Sequence, residues 1–491
     1  MTARAYPPRV RRRLFRRALT LVGALLVLAL LALGPVPGVV GQGVALSTPI
    51  TEAVTTLTTQ LSISPTTVIG HAGANFWGVN MAPTQLLGPT QTQQLAPTGI
   101  SYIRWPSAKL NDQYDITTNL IHNDNGTTTL GRTTPSEFVS WCQSVHCHAI
   151  LGIPGEINSP TQAAQEVLYV EQVLGFHPAY WEIGNEPGLW THYDVPWSHW
   201  NTGQSFGINA SGYAQLVQRY IGAIHGVDPT APVIGLPGTG IGAYGENEWI
   251  FDTVQLNGPN LSAVAIHVYP AGHLTGLTGN LSDFDQSLLS KGSLDSRVPL
   301  DKAAIVSACP TCRIQLFATE FNAASVGAIN DTGTYGQFMQ GFYEVPYVAA
   351  EVAQGLLQNV RDMDFYNLEG GFPGALFDHN ESARPVYYLF TMMLRHLEPN
   401  AVQTTFSGSL GEFYGVASVS GSTSMTLLVA NANPSTTIKF GLGGSGFYLE
   451  EPGTAWTFTS GMTEPSATTW SGSAPLHWTV PAESVLVINV T

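Results

Sequence analysis

The chain is short of positive charge. Its 491 residues hold 19 Lys and Arg against 34 Asp and Glu, a formal net charge of −15. Seven arginines fall between Arg4 and Arg17, and residues 1–42 carry no acid. Without that segment twelve basic side chains remain and the net charge becomes −22. A surface so poor in cations repels polyphosphate and offers it no basic patch, which excludes nucleic acid as a partner. It also disfavours a sulfated or otherwise polyanionic substrate. A chain with few cations gains less positive charge in acid, so tolerance of low pH is expected.

Cysteine is scarce as well. The four are Cys142, Cys147, Cys309 and Cys312, spaced C-x4-C and C-x2-C. In an exported protein such pairs default to two local disulfides, and a zinc site with His146 or His148 is the alternative. Also missing is the glycine-rich phosphate loop that a doubly wound dinucleotide fold places after its first strand. No internal repeat of solenoid length is found.

At the N-terminus the arginines precede a mostly apolar run, Ala18 to Leu33. A basic segment before an apolar one is the pattern of an export signal, and Arg12-Arg13-Leu14-Phe15 resembles a twin-arginine signal. The apolar run could instead be kept as a membrane tether, which Pro35, Pro37 and several glycines disfavour. The expected location is secreted or cell-surface.

Eight stretches rich in β-branched and aromatic residues follow: 74–80, 100–106, 148–155, 180–186, 232–238, 263–270, 314–322 and 363–370. They are near-continuous apolar runs, as expected of strands buried on both faces. Helical patterns lie between many of them. Thr134-Pro135-Ser136-Glu137 is a capping box with proline at the first helical position. Over 213–227, Leu216, Val217, Tyr220, Ile221 and Ile224 form one stripe, which Asp228-Pro229 ends. Strand–helix alternation of this kind predicts right-handed βαβ units, and eight of them predict a closed (β/α)8 TIM barrel. After Pro399 the helical stripes stop. Short alternating strands such as 425–430, 437–442, 448–450 and 484–490 predict an appended C-terminal β-sandwich. The expected division is a signal or anchor over 1–42, N-terminal strands joining the sandwich over 43–72, the barrel over 73–396, and the sandwich over 397–491.

In a barrel the C-terminal ends of the strands form the mouth where chemistry sits. The fourth strand ends in Asn185-Glu186, and Pro187 fixes the turn beyond. The seventh ends in Ala318-Thr319-Glu320-Phe321-Asn322. Cleaving a glycosidic bond needs two carboxyl groups flanking it, one to protonate the leaving oxygen and one to attack or to activate water. Two glutamates closing the fourth and seventh of eight strands fit that need. Glu182, four residues before Glu186, is expected in a buried structural ion pair, with Arg104 as one possible partner.

Gly184-Asn185-Glu186-Pro187 together with Glu320 resembles clan A of the glycoside hydrolases. The segment Trp181 to Pro187 is similar to the heparanase and β-glucuronidase family. Glu320-x-Asn322 is similar to that family and to the β-xylosidase and α-L-arabinofuranosidase families. Ile103-Arg104-Trp105-Pro106, with Asp112 and Tyr114 beyond, is nearest the arabinofuranosidase pattern, with Ser107-Ala108 where that pattern has two glycines. The resemblance implies that Glu186 is the acid/base and Glu320 the nucleophile of a retaining enzyme. It also implies that Asn185 bonds a sugar hydroxyl, that Arg104 and Tyr269 bond Glu320, and that His267 lines the same mouth. Asn322 and Trp190 are further candidates for substrate contact, Trp190 as a stacking platform. The clan's tryptophan at the end of strand eight is replaced by Tyr366 and Asn367.

The function expected is an exported retaining glycoside hydrolase acting on a carbohydrate substrate, with neither metal nor organic cofactor required. Two rivals use the same residues. One is a cell-surface carbohydrate-binding protein without turnover, against which the intact pair argues. The other is a transglycosylase.

Overall fold

The computed structural model describes residues 55–490 except 73–75, 124–125, 157–158, 191–207, 236–245, 271–288, 290–292, 325–338, 371–373, 409, 422–423, 443–451 and 472–476. The leader, the strand expected over 448–450, and His192, Tyr193, Trp197 and Trp200 lie outside the described residues. Among the described residues no helix is long and apolar enough to cross a membrane.

Eight parallel strands close into a barrel. In chain order they are Trp77–Asn80, Tyr102–Trp105, His148–Ile153, Tyr180–Ile183, Val233–Gly235, Ala263–Val268, Gln315–Phe321 and Asp362–Phe365. Each pairs with its neighbours in sequence, and the eighth pairs with the first. The helices between them begin with Pro89–Leu95 and include the two read from sequence, Pro135–Val145 and Ala210–Val227. The Thr134 capping box is formed, with Thr134 Oγ1 accepting from the Glu137 backbone N–H. The predicted stripe of Ala210–Val227 is buried, and Asn209 caps its start.

The second layer is a nine-stranded sheet, chiefly antiparallel. Strand Thr55–His71 enters it before the barrel begins, antiparallel to Asn400–Phe406 and parallel to Thr436–Leu442. The sheet buries both faces. On Ser484–Val490, Leu486 and Ile488 belong to the sheet's own core, while Val485 and Val487 join the core of the barrel. That double burial is why the strand is a continuous apolar run. Helix Glu344–Leu357 packs against five strands of this sheet, and every residue from Glu344 to Leu356 is buried.

Both cysteine pairs are disulfides, Cys142–Cys147 and Cys309–Cys312. This overturns the zinc alternative, because no thiolate is left to bind metal.

The barrel interior is unusually acidic. Tyr102, Ile150, Ile234, Ala263, Ala265 and Phe317 form a small apolar plug. Beside it Asp362 and Asp364, two apart on the eighth strand, point inward and are buried. A Cβ on Gly78 would lie 1.4 Å from Asp364 Oδ1, so the absent side chain on strand one makes the room for that carboxyl. The two carboxyl groups hydrogen-bond each other, and Asp362 also accepts from the Met363 backbone N–H. Burial raises the pKa of both groups well above the usual carboxylate range, and the charge of Asp362 raises that of Asp364 further.

A carboxyl that stays protonated in the fold but ionises in the unfolded chain makes the native state the one that binds more protons. Its effect is therefore absent in acid, and stability falls as pH rises above about 3.9. Asp364→Asn removes the ionisable group at equal size. The drop in Tm between about pH 4 and pH 8 should be smaller in this variant than in the wild type. Equal slopes in calorimetry would show that the pair holds no such proton.

Candidate active site

The site is built from the C-terminal ends of strands one, two, four, six and seven. Strand two carries Arg104, which is fully buried. Its guanidinium reaches four side chains. Nε donates to Glu182 at 2.5 Å, Nη1 to Glu320 at 2.5 Å and to Asn80 at 3.0 Å, and Nη2 to Asn185 at 2.9 Å. Burial opposes the charge on Arg104, but Glu182 and Glu320 outweigh it and hold its pKa above the ordinary value. Both expectations for Arg104 therefore hold at once, since it pairs with Glu182 below and Glu320 above.

Strand four delivers Asn185 and Glu186 through a sharp turn. Gly184 has φ +73°, and Glu186 itself sits in the left-handed region at φ +44°. A non-glycine residue there costs roughly 1–2 kcal/mol, so the surrounding contacts must impose it. Pro187 then opens a short 3-10 turn to Leu189.

Asp112, from the loop after strand two, supplies much of that constraint. Its Oδ1 accepts from the backbone N–H of Gly155 and Asn185, and its Oδ2 accepts from Trp190 Nε1 at 2.8 Å. Burial and the neighbouring Glu156 raise its pKa, while these three donors hold it down. Sequence reading placed Asp112 within a family pattern but gave it no role.

Strand seven delivers Glu320 by an irregularity. Ile266 pairs with Ala318, yet His267 pairs with Glu320, and the same extra residue appears against strand eight. Simple alternation would point Glu320 the same way as Ala318, into the helix layer. The bulge turns it to the barrel mouth instead, as bulges beside active sites do. There Tyr269 OH donates to Glu320 Oε2 at 2.7 Å.

His267, on strand six, joins the two glutamates. Its Nδ1 lies 3.0 Å from Glu186 Oε1 and 3.4 Å from Glu320 Oε2. Burial lowers its pKa to about 4, so the ring is neutral near pH 7. Two carboxyl oxygens around Nδ1 favour the tautomer with the proton there. Arg297 Nη1 donates to the His267 carbonyl at 2.6 Å and anchors the strand from behind. Burial raises the pKa of Glu186 to about 7, with Arg104 pulling it down. Tyr366 stands edge-on to Tyr269, ring centroids 6.2 Å apart, beside the pair.

Two further candidate contacts are held by the scaffold. Asn322 is fully buried. Its amide donates to the carbonyls of Tyr366, at 2.6 Å, and Gly374, and its oxygen accepts from Ala323 N–H. With these atoms engaged it fastens the end of strand eight rather than facing the cavity. Trp190 is 4% exposed, and its Nε1 donates to Asp112 and to the Asn185 carbonyl. Its ring fills space that a Cβ on Gly155 or Gly184 would occupy. It forms a wall of the cavity beside Glu186.

Glu186, His267 and Glu320 each offer an atom within 4.8 Å of the others, a spacing that could hold a cation. The Arg104 guanidinium already supplies positive charge to Glu320 there. A second such group, Glu171, His177 and Asp228, lies away from the mouth, with His177 largely exposed.

No family model and no curated protein matches the sequence. Solved structures do match in fold. An α-L-arabinofuranosidase from Thermotoga maritima, in complex with arabinose, superposes with a TM-score of 0.68 at 14% identity, over 88% of this chain and 99% of that one. A family 51 arabinofuranosidase from Xanthomonas axonopodis pv. citri gives 0.67 at 12% identity, over 88% and 100%. A family 44 xyloglucanase from Paenibacillus polymyxa gives 0.65 at 13% identity, over 89% and 100%. The chain thus shares the barrel-plus-sheet fold of these arabinofuranosidases and this xyloglucanase.

Arg104→Met would leave two carboxylates buried without their cation, at a cost of about 3–5 kcal/mol in urea unfolding. Arg104→Lys should recover only part of this, since one ammonium cannot span four partners. A loss below about 1 kcal/mol for Arg104→Met would mean that the ion pairs do not hold the barrel mouth.

Proposed function

We propose that the protein is a retaining glycoside hydrolase, with Glu186 as acid/base and Glu320 as nucleophile. One observation carries the reading: a carboxyl oxygen of Glu186 and one of Glu320 lie within 4.8 Å of each other. Retaining enzymes hold their carboxyl groups about 5–5.5 Å apart, and inverting ones about 6.5–9.5 Å, to admit a water between.

The environments of the two groups suit different roles. Glu186, with its pKa raised to about 7 by burial, keeps its proton in mild acid and can give it to the glycosidic oxygen. Glu320, bonded to Arg104 and Tyr269, attacks the anomeric carbon. The leaving sugar departs as an alcohol with the Glu186 proton, and a glycosyl ester on Glu320 remains. Forming the ester removes the negative charge beside Arg104. The pull of Arg104 on Glu186 is then less shared, which favours the carboxylate. Glu186 next takes a proton from water, the resulting hydroxide attacks the anomeric carbon, and Glu320 is released. Asn185 has its oxygen committed to Arg104, so its amide N–H is the group it can offer a sugar hydroxyl.

The substrate class is a glycan or its oligosaccharides, with arabinofuranosidase, β-xylosidase and β-glucuronidase activities as the candidates. The arabinofuranosidases and xyloglucanase of like fold support a plant cell-wall sugar. Export, secreted or tethered by the leader, is supported by the two disulfides.

Glu320→Gly should abolish turnover of aryl glycosides, with a Tm lowered by the loss of one Arg104 partner and a native circular dichroism spectrum. Activity that survives this change would remove Glu320 from its role. Glu186→Ala should lower kcat by about 10²–10⁴ on substrates with poor leaving groups, and on activated aryl glycosides, where breakdown of the ester limits, added azide should raise the rate and yield the glycosyl azide. The wild-type kcat/KM should fall as pH rises through about 7, where Glu186 loses its proton. That limb should vanish in Glu186→Ala, and a limb that persists would belong to another group.

A further inference from the structure

The underside of the barrel, where the strands begin, holds a cavity of about 370 Å³. Gln315, the first residue of strand seven, lines it, and so does Arg361, just ahead of strand eight. Strand seven runs from there to Glu320 at the mouth, a rise of about 16 Å. The cavity is therefore separate from the candidate active site.

Two cations meet here in a chain that has few. Lys302, on helix Leu294–Ala308, lines the cavity together with Arg361. They are two of the twelve basic side chains outside residues 1–42. Among the described residues neither forms an ion pair. Lys302 Nζ donates to the carbonyls of Gln358 and Asn359, which leaves a third N–H to offer. Burial lowers the Lys302 pKa, and no carboxylate opposes it. The acid beside Arg361 in the chain is Asp362, whose burial favours its neutral form. A guanidinium and an ammonium thus border one cavity with no charged acid to answer them. Much of the remaining wall is apolar, from Ile305, Val306, Ile314 and Leu316. An inorganic oxyanion would meet the two charges and leave that wall bare. A neutral apolar molecule would cover the wall and leave the charges unmet.

We propose that this cavity binds a small organic carboxylate, with its head at Lys302 and Arg361 and a single-ring body against Ile305, Ile314 and Leu316. Guanidinium and carboxylate match as planar groups and can share two hydrogen bonds. The volume lies at the small end of the roughly 300–1,000 Å³ range of small-molecule pockets, which suits one ring. The site stands apart from the two-glutamate reading and does not depend on it.

The test titrates the full chain near neutral pH with 4-fluorobenzoate, followed by fluorine NMR. It should bind with a Kd of about 1 mM or tighter. 4-Fluorobenzyl alcohol, which has the ring without the charge, should bind at least about tenfold more weakly. Inorganic phosphate, which has the charge without the ring, should displace 4-fluorobenzoate only at concentrations about tenfold higher. Arg361→Gln should weaken 4-fluorobenzoate about tenfold or more. Val306→Glu should do the same, because it sets a carboxylate one helical turn from Lys302 and answers its charge from within. Val306 is 60% exposed, so this variant keeps the test decisive should Arg361→Gln lose its native circular dichroism spectrum. No saturable binding of 4-fluorobenzoate up to about 20 mM would overturn the site. So would an alcohol or a phosphate that binds as tightly, or an unchanged affinity in either folded variant.

Discussion

One buried cation organises the mouth of this barrel. Arg104 lies where no water reaches it, and a guanidinium so placed is tolerable only when its N–H groups meet strong acceptors. It finds them on three other strands, at Asn80 on strand one, Glu182 and Asn185 from strand four, and Glu320 on strand seven. The requirement runs both ways, because Glu182 and Glu320 would be equally costly to bury without Arg104. Fold and chemistry are therefore joined at this side chain. The contact that presents Glu320 to a substrate is the same contact that allows the upper barrel to close.

Around this point the interior is short of positive charge, as the chain itself is. Glu344, Glu351, Asp362 and Asp364 are all buried, and burial raises the pKa of each. Glu351 titrates near 8 while accepting the backbone N–H of Leu294. Arg384 near Glu344 and Arg297 near Glu351 pull the other way, but burial outweighs them and favours the neutral acids. The native molecule then carries less negative charge than its formal −15. Acidic solvent, which ordinarily unfolds proteins by protonating paired carboxylates, has fewer such pairs to break here.

The barrel was legible because its strands are buried on both faces, which writes them as apolar runs ending in polar residues. Asn185-Glu186 and Glu320 stood out for the same reason, as carboxyls closing such runs. The helix Leu294–Ala308 was not legible, since it carries Pro299 and its apolar residues do not gather into one stripe. Glu344–Leu357 also left no stripe, because it is buried on all sides. Within the site, residue type suggested Asn322 and Trp190 as substrate contacts, and their hydrogen bonds also tie both into the scaffold. Those partners, Gly374 and Asp112, lie 52 and 78 positions away, beyond the reach of local pattern. The bulge before Glu320 is likewise invisible in sequence. It arises from how three neighbouring strands share their registers, and strict alternation would have turned the carboxyl outward.

The helix Glu344–Leu357 has a consequence for the architecture. Its side chains serve the barrel on one flank and the nine-stranded sheet on the other, and apolar residues of both layers belong to one continuous core. Thr55–His71 adds a second tie, since the chain visits the sheet before it ever enters the barrel. The sheet is thus no detachable accessory. Truncating the chain near Pro399 would strip one flank of a wholly buried helix and orphan the first strand, so the two layers should be inherited, exchanged and lost together.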